Sequence, residues 1–260
     1  MSGGKDKKKQ KTTEQILFDL MVDIDKAVSV SPAETVKKLL ILSTPRSGSS
    51  MFCEVLHSTG KIGECLEWLN PRYMQAYAQV KQLTQVNINE YLNYIVQRTI
   101  GNTGVFAVNV HIDQYLFLLK QSFDVMSLNF DAIFYLERKD KVAQAVSLAK
   151  ASLSDQWSHD TKPRDNIVGP DEVDIAGSLH QILHWQKIYR TQLKSKVKDE
   201  FYYEEFSNLN DLSAFNGVLA SLGVSADKSF VPATSLERQS GVDSVERCES
   251  FLKTIQGKRP

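Results

Sequence analysis

The stretch Leu39-Leu40-Ile41-Leu42-Ser43-Thr44-Pro45-Arg46-Ser47-Gly48-Ser49-Ser50 constrains this chain more than any other. An apolar run of strand length empties into a short hydroxyl-rich loop, and an apolar helical pattern opens at Met51 and Phe52. A strand, a tight turn and a helix N-terminus together build an anion cradle. Backbone N–H groups point into the loop, and the helix dipole places about half a positive charge there. Arg46 adds a full charge in a fork geometry suited to phosphate. The loop reads as phosphate-binding, with Ser47, Gly48, Ser49 and Ser50 supplying amides and Ser49 or Ser50 a hydroxyl donor. It is not the nucleoside-triphosphate form, which needs G-x-x-x-x-G-K-[ST]. With Gly48 aligned, Ser43 stands at the first glycine, Ser49 stands at the lysine, and the cation has moved to Arg46. Taken alone, the loop also admits a plainer reading as a polar βα turn without a ligand.

The rest of the chain supplies a setting for such a loop. Helical spacing runs through Ile16, Leu17, Leu20, Met21, Ile24, Ala27 and Val28. Ser31 to Glu34 has capping-box order with Pro32 at the first helical position. Strand 39–43 is followed by a helix from about Ser49 to Ser58, with Gly60 as its stop. A helix through Tyr91, Leu92, Ile95 and Val96 precedes a second strand, Val105 to Val110. Residues 113–123 read as helix, and Ala132 to Leu136 as a third strand. Helices then follow through Val142 to Ala149 and through Ile175 to Ile188. Phe201-Tyr202-Tyr203 reads as a fourth strand, and Leu212 to Leu222 as a helix closed by Gly223. Apolar strands alternating with helices imply an α/β fold of three layers around a mostly parallel sheet, with ligands at the carboxyl ends of the strands. Residues 158–170 are the best candidate for a mobile loop over the site.

Composition narrows the class. At 260 residues the chain suits one domain over 13–260, with 1–12 a disordered basic tail. Lysine plus arginine and aspartate plus glutamate balance at 31 each, so no global field favours nucleic acid. No run approaches the roughly 18 apolar residues of a membrane span. Cys53, Cys65 and Cys248 form an odd count without C-x-x-C spacing. That argues against a disulfide framework or zinc site and for a reducing, cytoplasmic setting. The tail and first helix leave a homodimer contact open, although the helix reads first as packed on its own domain.

Two further constellations stand at strand ends. Arg138 follows the third strand, and Ser147 lies about two turns into the next helix. An arginine fork and a hydroxyl converging on one phosphate is sensible chemistry. By themselves, Arg138 also suits an ion pair with Glu137 or Asp140, and Ser147 a hydroxyl bonding its own helical turn. The order Pro-[Lys/Arg]-Ser-Gly-[Ser/Thr]-[Ser/Thr] resembles the 5′-phosphosulfate loop of sulfotransferases that use 3′-phosphoadenosine 5′-phosphosulfate (PAPS). The run Arg138 to Ser147, ending Gln144-Ala145-Val146-Ser147, is similar to the trehalose 2-sulfotransferase branch. So are Gly63-Glu64-Cys65-Leu66-Glu67-Trp68, Tyr203-Glu204-Glu205-Phe206 and Leu236-Glu237-Arg238-Gln239.

That resemblance covers about residues 39 to 250 and implies a PAPS-dependent sulfotransferase without a metal, leaving 3′-phosphoadenosine 5′-phosphate (PAP) as product. It implies that Arg46 and the loop hold the 5′-phosphosulfate, that Arg138 and Ser147 hold the 3′-phosphate, and that Arg238 contributes to the nucleotide site. It also implies that Glu67 is the general base toward a hydroxyl of a small-molecule acceptor, with carbohydrate the default. Glu64, Glu54 and His111 stay open as bases. Trp157 and Trp185 read as core or lid packing. Cys65 replaces the branch's proline, Val108-Asn109 its glycine-lysine pair, and the segment from Asn70 to Glu90 is short. A nucleotide kinase or NTPase with a degenerate loop, and a non-catalytic nucleotide-binding module, are the competing functions.

Overall fold

The computed structural model describes residues 11–27, 36–157, 161, 174–235 and 242–257. Four strands, β1 (Lys37–Ser43), β2 (Val105–His111), β3 (Ala132–Glu137) and β4 (Asp199–Tyr202), form one parallel sheet in the order β2-β1-β3-β4. The chain leaves β1 toward one edge and returns for β3 on the other side. The carboxyl ends of β1 and β3 therefore flank the point where strand order reverses, which is where open α/β sheets bind ligands.

Alternate residues of a strand face opposite ways, and both faces are covered. Leu40, Leu42, Val108, Val110 and Tyr135 pack against α1 (Thr13–Lys26), α3 (Pro71–Lys81), α4 (Ile88–Thr99) and α5 (Ile112–Lys120). Leu39, Ile41, Ala107, Phe134 and Leu136 pack against α2 (Ser49–Ser58) and α9 (Ser213–Ser221). Between these lie α6 (Lys141–Ser154), α7 (Ile175–Ile188) and the single turn α8 (Tyr203–Phe206), with α10 (Val242–Gln256) near the end. The fold is the expected three-layer α/β arrangement.

Local chemistry explains the boundaries. Thr12 and Gln15 form a capping box at the start of α1, whose Leu17, Met21 and Ile24 are buried in the chain's own core. The helix after the phosphate loop spans Ser49–Ser58, as the pattern predicts, and Gly60 adopts φ 68° beyond it. The fourth strand sits earlier than expected, because Tyr203 already begins the helical turn that Glu204 and Glu205 favour. Besides that turn, α8, two longer helices, α3 and α10, are additions to the expected pattern. Asn70 caps α3 by accepting from the Arg72 amide, with Pro71 at the first helical position. Residues 1–10 of the expected tail, the turn at Ser31 to Glu34 and the loop 158–170, apart from Thr161, lie outside the described residues.

The segment 63–67 is laid along the edge of β2 by backbone bonds. Gly63 N–H donates to Val105 O at 3.0 Å, and Asn109 N–H to Leu66 O at 2.9 Å. A Cβ on Gly63 would lie 2.2 Å from Thr99 O and 2.8 Å from Val105 O. Rigid backbone on both sides cannot yield cheaply. Gly63→Ala is expected to destabilise by about 1–3 kcal/mol, read as a lower urea midpoint. An unchanged midpoint would mean that the segment is free to shift.

Candidate active site

The phosphate loop leaves β1 at Ser43 and turns through Arg46 (φ 65°) and Gly48 (φ 86°), both left-handed. Gly48 is required twice over, since a Cβ there would also stand 2.4 Å from the Tyr203 ring. Gly48 is the N-cap of α2, and no side chain caps that end. The first-turn amides of α2 are thus open to an anion in the way helix N-termini allow. The loop is braced from behind by Gln144, which is fully buried and donates from Nε2 to Thr44 Oγ1 and Pro45 O, both at 2.8 Å.

Arg46 and Ser147 meet. Arg46 Nε donates to Ser147 Oγ at 2.9 Å, and its Nη1 donates to the Trp157 carbonyl at 2.8 Å. Burial, and then the like charge of Arg138, lower the Arg46 guanidinium from its ordinary value, while Glu67 opposes them. It stays protonated near neutrality all the same. Arg138 takes neither of the ion pairs weighed for it. Glu137 is held instead by Lys141 at 2.8 Å and Arg190 at 3.3 Å. The Glu204 carboxylate accepts the Lys139 and Asp140 amides at 2.9 and 3.1 Å. This ties the β3 exit loop to α8, and the Arg138 guanidinium lies 5.0 Å above the Tyr203 ring.

Two donors here are buried without a hydrogen-bond partner among the described residues, Ser47 Oγ and Arg138 Nε. Buried donors are rarely left unsatisfied. Two mutually repelling arginines, an uncapped helix N-terminus and two orphaned donors describe a site short of negative charge. These residues fit the phosphate groups of an adenosine bisphosphate. Ser49 is buried at 3% exposure and Ser50 is exposed on the same first turn. Arg238 lies outside the described residues.

Beside the loop stands the second half of the site. Glu67 Oε2 accepts from Asn70 Nδ2 at 2.9 Å and from Gln114 Nε2 at 2.5 Å. Its Oε1 lies 3.8 Å from His111 Nε2. That ring nitrogen is also 3.3 Å from Ser49 Oγ, which joins the carboxylate to the phosphate loop. Burial pushes the Glu67 carboxyl up. His111, the Asn70 and Gln114 amides and the Arg46 charge together outweigh it and hold Glu67 below the usual carboxylate range. At neutral pH it is ionised, with a side chain 23% exposed. A carboxylate of this kind can accept a proton from a hydroxyl brought to Oε1.

The other candidate bases separate. His111 is in the cluster. Among the described residues Glu64 shows no such set of bonds, and its carboxyl is held above the usual range by burial, against the pull of His57. Glu54 is turned to the other end of the chain, accepting from the Ser235 amide and hydroxyl at 3.0 and 2.6 Å and from the Thr234 hydroxyl at 2.5 Å. The sequence departures also find places. Asn109 accepts from Ser43 Oγ at 3.0 Å and donates to Ser49 Oγ at 3.2 Å, so it braces the loop. Cys65 packs its thiol 2.9 Å from that of Cys53 in the core. Trp157 and Trp185 pack on the cluster of Ala145, Leu148 and Ile182, as expected. Gln114, Asn70, Asn109 and Gln144 were assigned no role from sequence, and only Gln144 stood in a motif that could have pointed to it.

Residues 38–252 match the family model described as Stf0 sulphotransferase, well over half of the chain. The protein belongs to the Stf0 sulphotransferase family and is a PAPS-dependent sulfotransferase. Among solved structures it is similar to a sulfotransferase domain from the Synechococcus PCC 7002 olefin synthase. That match has 13% identity and a TM-score of 0.37, covering 86% of this chain and 98% of that one. It is also similar to retinol dehydratase in complex with androsterone and inactive cofactor PAP, at 13% identity and a TM-score of 0.38, covering 86% and 82%. No curated protein matches the chain. Among the described residues no helix is long and apolar enough to cross a membrane.

Proposed function

We propose that this protein transfers the sulfuryl group of PAPS to a hydroxyl of a small-molecule acceptor, carbohydrates being the default class, with Glu67 as general base. The observation that carries this reading is the meeting of the two halves. A cationic cradle with orphaned donors adjoins an ionised carboxylate through the Ser49–His111 contact. When bound, PAPS supplies the sulfuryl group, and its S–O bond to the 5′-phosphate breaks as the bond to the acceptor oxygen forms.

The chain's own groups then have distinct tasks. Arg46 and the amides from Ser47 through Gly48 and Ser49 to Ser50 stabilise charge gathering on the departing 5′-phosphate. This is preorganised electrostatics in a partly dry site. Arg138 and Ser147 hold the 3′-phosphate. Ser147 accepts from Arg46 with its oxygen and keeps its own O–H to donate, so one hydroxyl touches both phosphate sites. Arg238 is retained as a nucleotide contact on the resemblance alone. Glu67 takes the acceptor's proton at Oε1, while Asn70 and Gln114 fix the carboxylate through Oε2. Glu54 is set aside as a base, because its carboxylate is engaged by Thr234 and Ser235.

The test is thermal unfolding with PAP, against ATP-magnesium and AMP. PAP at a hundred times its dissociation constant is expected to stabilise by about 2.7 kcal/mol, and AMP, lacking the 3′-phosphate, by much less. A response to ATP-magnesium in place of PAP would sink the sulfotransferase roles given to these residues and favour a kinase. PAP binding without transfer to any hydroxylated acceptor offered with PAPS would favour a binding module.

A further inference from the structure

Arg46 is aimed by a group far from the loop in sequence. The carbonyl that receives its Nη1 belongs to Trp157, three residues beyond α6. The chain reaches that point through Asp155, the C-cap of α6, which adopts a left-handed φ of 53° and is 9% exposed. Asp155 Oδ1 accepts from the Trp157 indole Nε1 at 2.8 Å and from Arg72 Nη2 at 2.9 Å. Its backbone carbonyl accepts from Thr13 Oγ1 at 3.2 Å. The Asp155 carboxylate thus joins α3 to the turn after α6, its backbone carbonyl adds α1, and the turn so fixed presents a carbonyl to Arg46.

We propose that Asp155 is a positioning residue for Arg46. By holding the Trp157 indole against Arg72, it sets where the Trp157 carbonyl stands and so how the Arg46 guanidinium faces the 5′-phosphate. The inference rests on the role given to Arg46 above. It also ties the phosphate loop to α3, which carries Arg72 directly after the Asn70-Pro71 cap, and Asn70 bonds Glu67. Orientation and charge act here with opposite signs. A carboxylate near an anion site weakens anion binding through its charge, so simple neutralisation would tighten PAP. Loss of an orienting acceptor would loosen it.

Three substitutions separate these effects. Asp155→Asn keeps an oxygen acceptor and tolerates the left-handed backbone. Asp155→Gly relaxes that backbone and removes the acceptor. Arg46→Ala removes the group acted upon. Binding of PAP is measured by calorimetry for each single variant and for the Arg46→Ala/Asp155→Gly double variant. Adenosine 3′-monophosphate, which lacks the 5′-phosphate, is measured by competition.

Asp155→Gly is expected to weaken PAP about tenfold, the scale of one misaligned hydrogen bond to a charged group, and to leave adenosine 3′-monophosphate unchanged. Asp155→Asn should stay within about twofold of the parent, and Asp155→Gly should cost less than about twofold once Arg46 is alanine, since coupled sites are not additive. The proposal is overturned by PAP binding that is unchanged or tighter in Asp155→Gly. Equal loss of both nucleotides, or an undiminished loss in the Arg46→Ala background, overturns it as well. A parent-like PAP affinity in Arg46→Ala overturns the role of Arg46 and this proposal with it. Loss there with none in Asp155→Gly overturns this proposal alone.

Discussion

Glu67→Gln is expected to lower sulfuryl transfer by about 10²–10⁴-fold, the usual range for removing a general base, with PAP affinity retained. The amide is nearly isosteric. Asn70 donates to Glu67 Oε2, and Gln114 lies on the same oxygen, so the substituted side chain can keep an oxygen toward them. What disappears is the site that accepts a proton at Oε1. The pH dependence has a definite sign. The folded carboxyl lies below the usual range, so Glu67 contributes stability that is present above its unfolded pKa and lost as pH falls through the folded one. The acid limb of kcat/KM should accordingly fall below the pKa of free glutamate. In Glu67→Gln both that limb and the matching loss of stability should vanish. Full activity in Glu67→Gln would remove Glu67 from the base role and leave His111 as the group nearest the same position.

The two ends of this site were legible to very different degrees. Strand, loop and helix from Leu39 to Ser58 announce themselves because each link is local: an apolar run, a glycine at a left-handed position, then a helical period. Arg138 and Ser147 stand out in the sequence through the resemblance that their spacing carries, whereas the bond from Arg46 to Ser147 joins segments far apart in the chain and has no sequence signal. The network around Glu67 was not legible, because Asn109, His111 and Gln114, at the end of β2 and the start of α5, meet Glu67 and Asn70 only when the 63–67 segment docks on β2. The α3 helix has a clear start at Asn70-Pro71 but only Ala76 and Tyr77 fully buried along it, too thin a stripe for periodicity to show. The Trp157 contact to Arg46 uses a backbone carbonyl, and no side-chain motif can signal such a bond.

Arg46→Ala is expected to cut turnover by roughly 10²–10³-fold, the scale of one lost charge-stabilising donor. The backbone makes a paired prediction possible. Arg46 sits at φ 65°, a conformation a side chain adopts at a cost. Alanine keeps that cost and glycine relieves it, so Arg46→Gly should lose as much turnover as Arg46→Ala while being more stable by about 1 kcal/mol. Comparing kcat and unliganded thermal midpoints of the two variants checks both halves. Equal midpoints would show that the loop relaxes once the arginine is gone, and retained turnover in either variant would end the assignment of Arg46. The strain has a physical reason to persist. A left-handed residue followed two positions later by left-handed Gly48 turns the loop amides toward α2's open N-terminus. At the same time Ser147 and the Trp157 carbonyl hold the guanidinium. The chain thus keeps a backbone conformation that glycine would adopt more readily, because only arginine brings a permanent forked charge to that point.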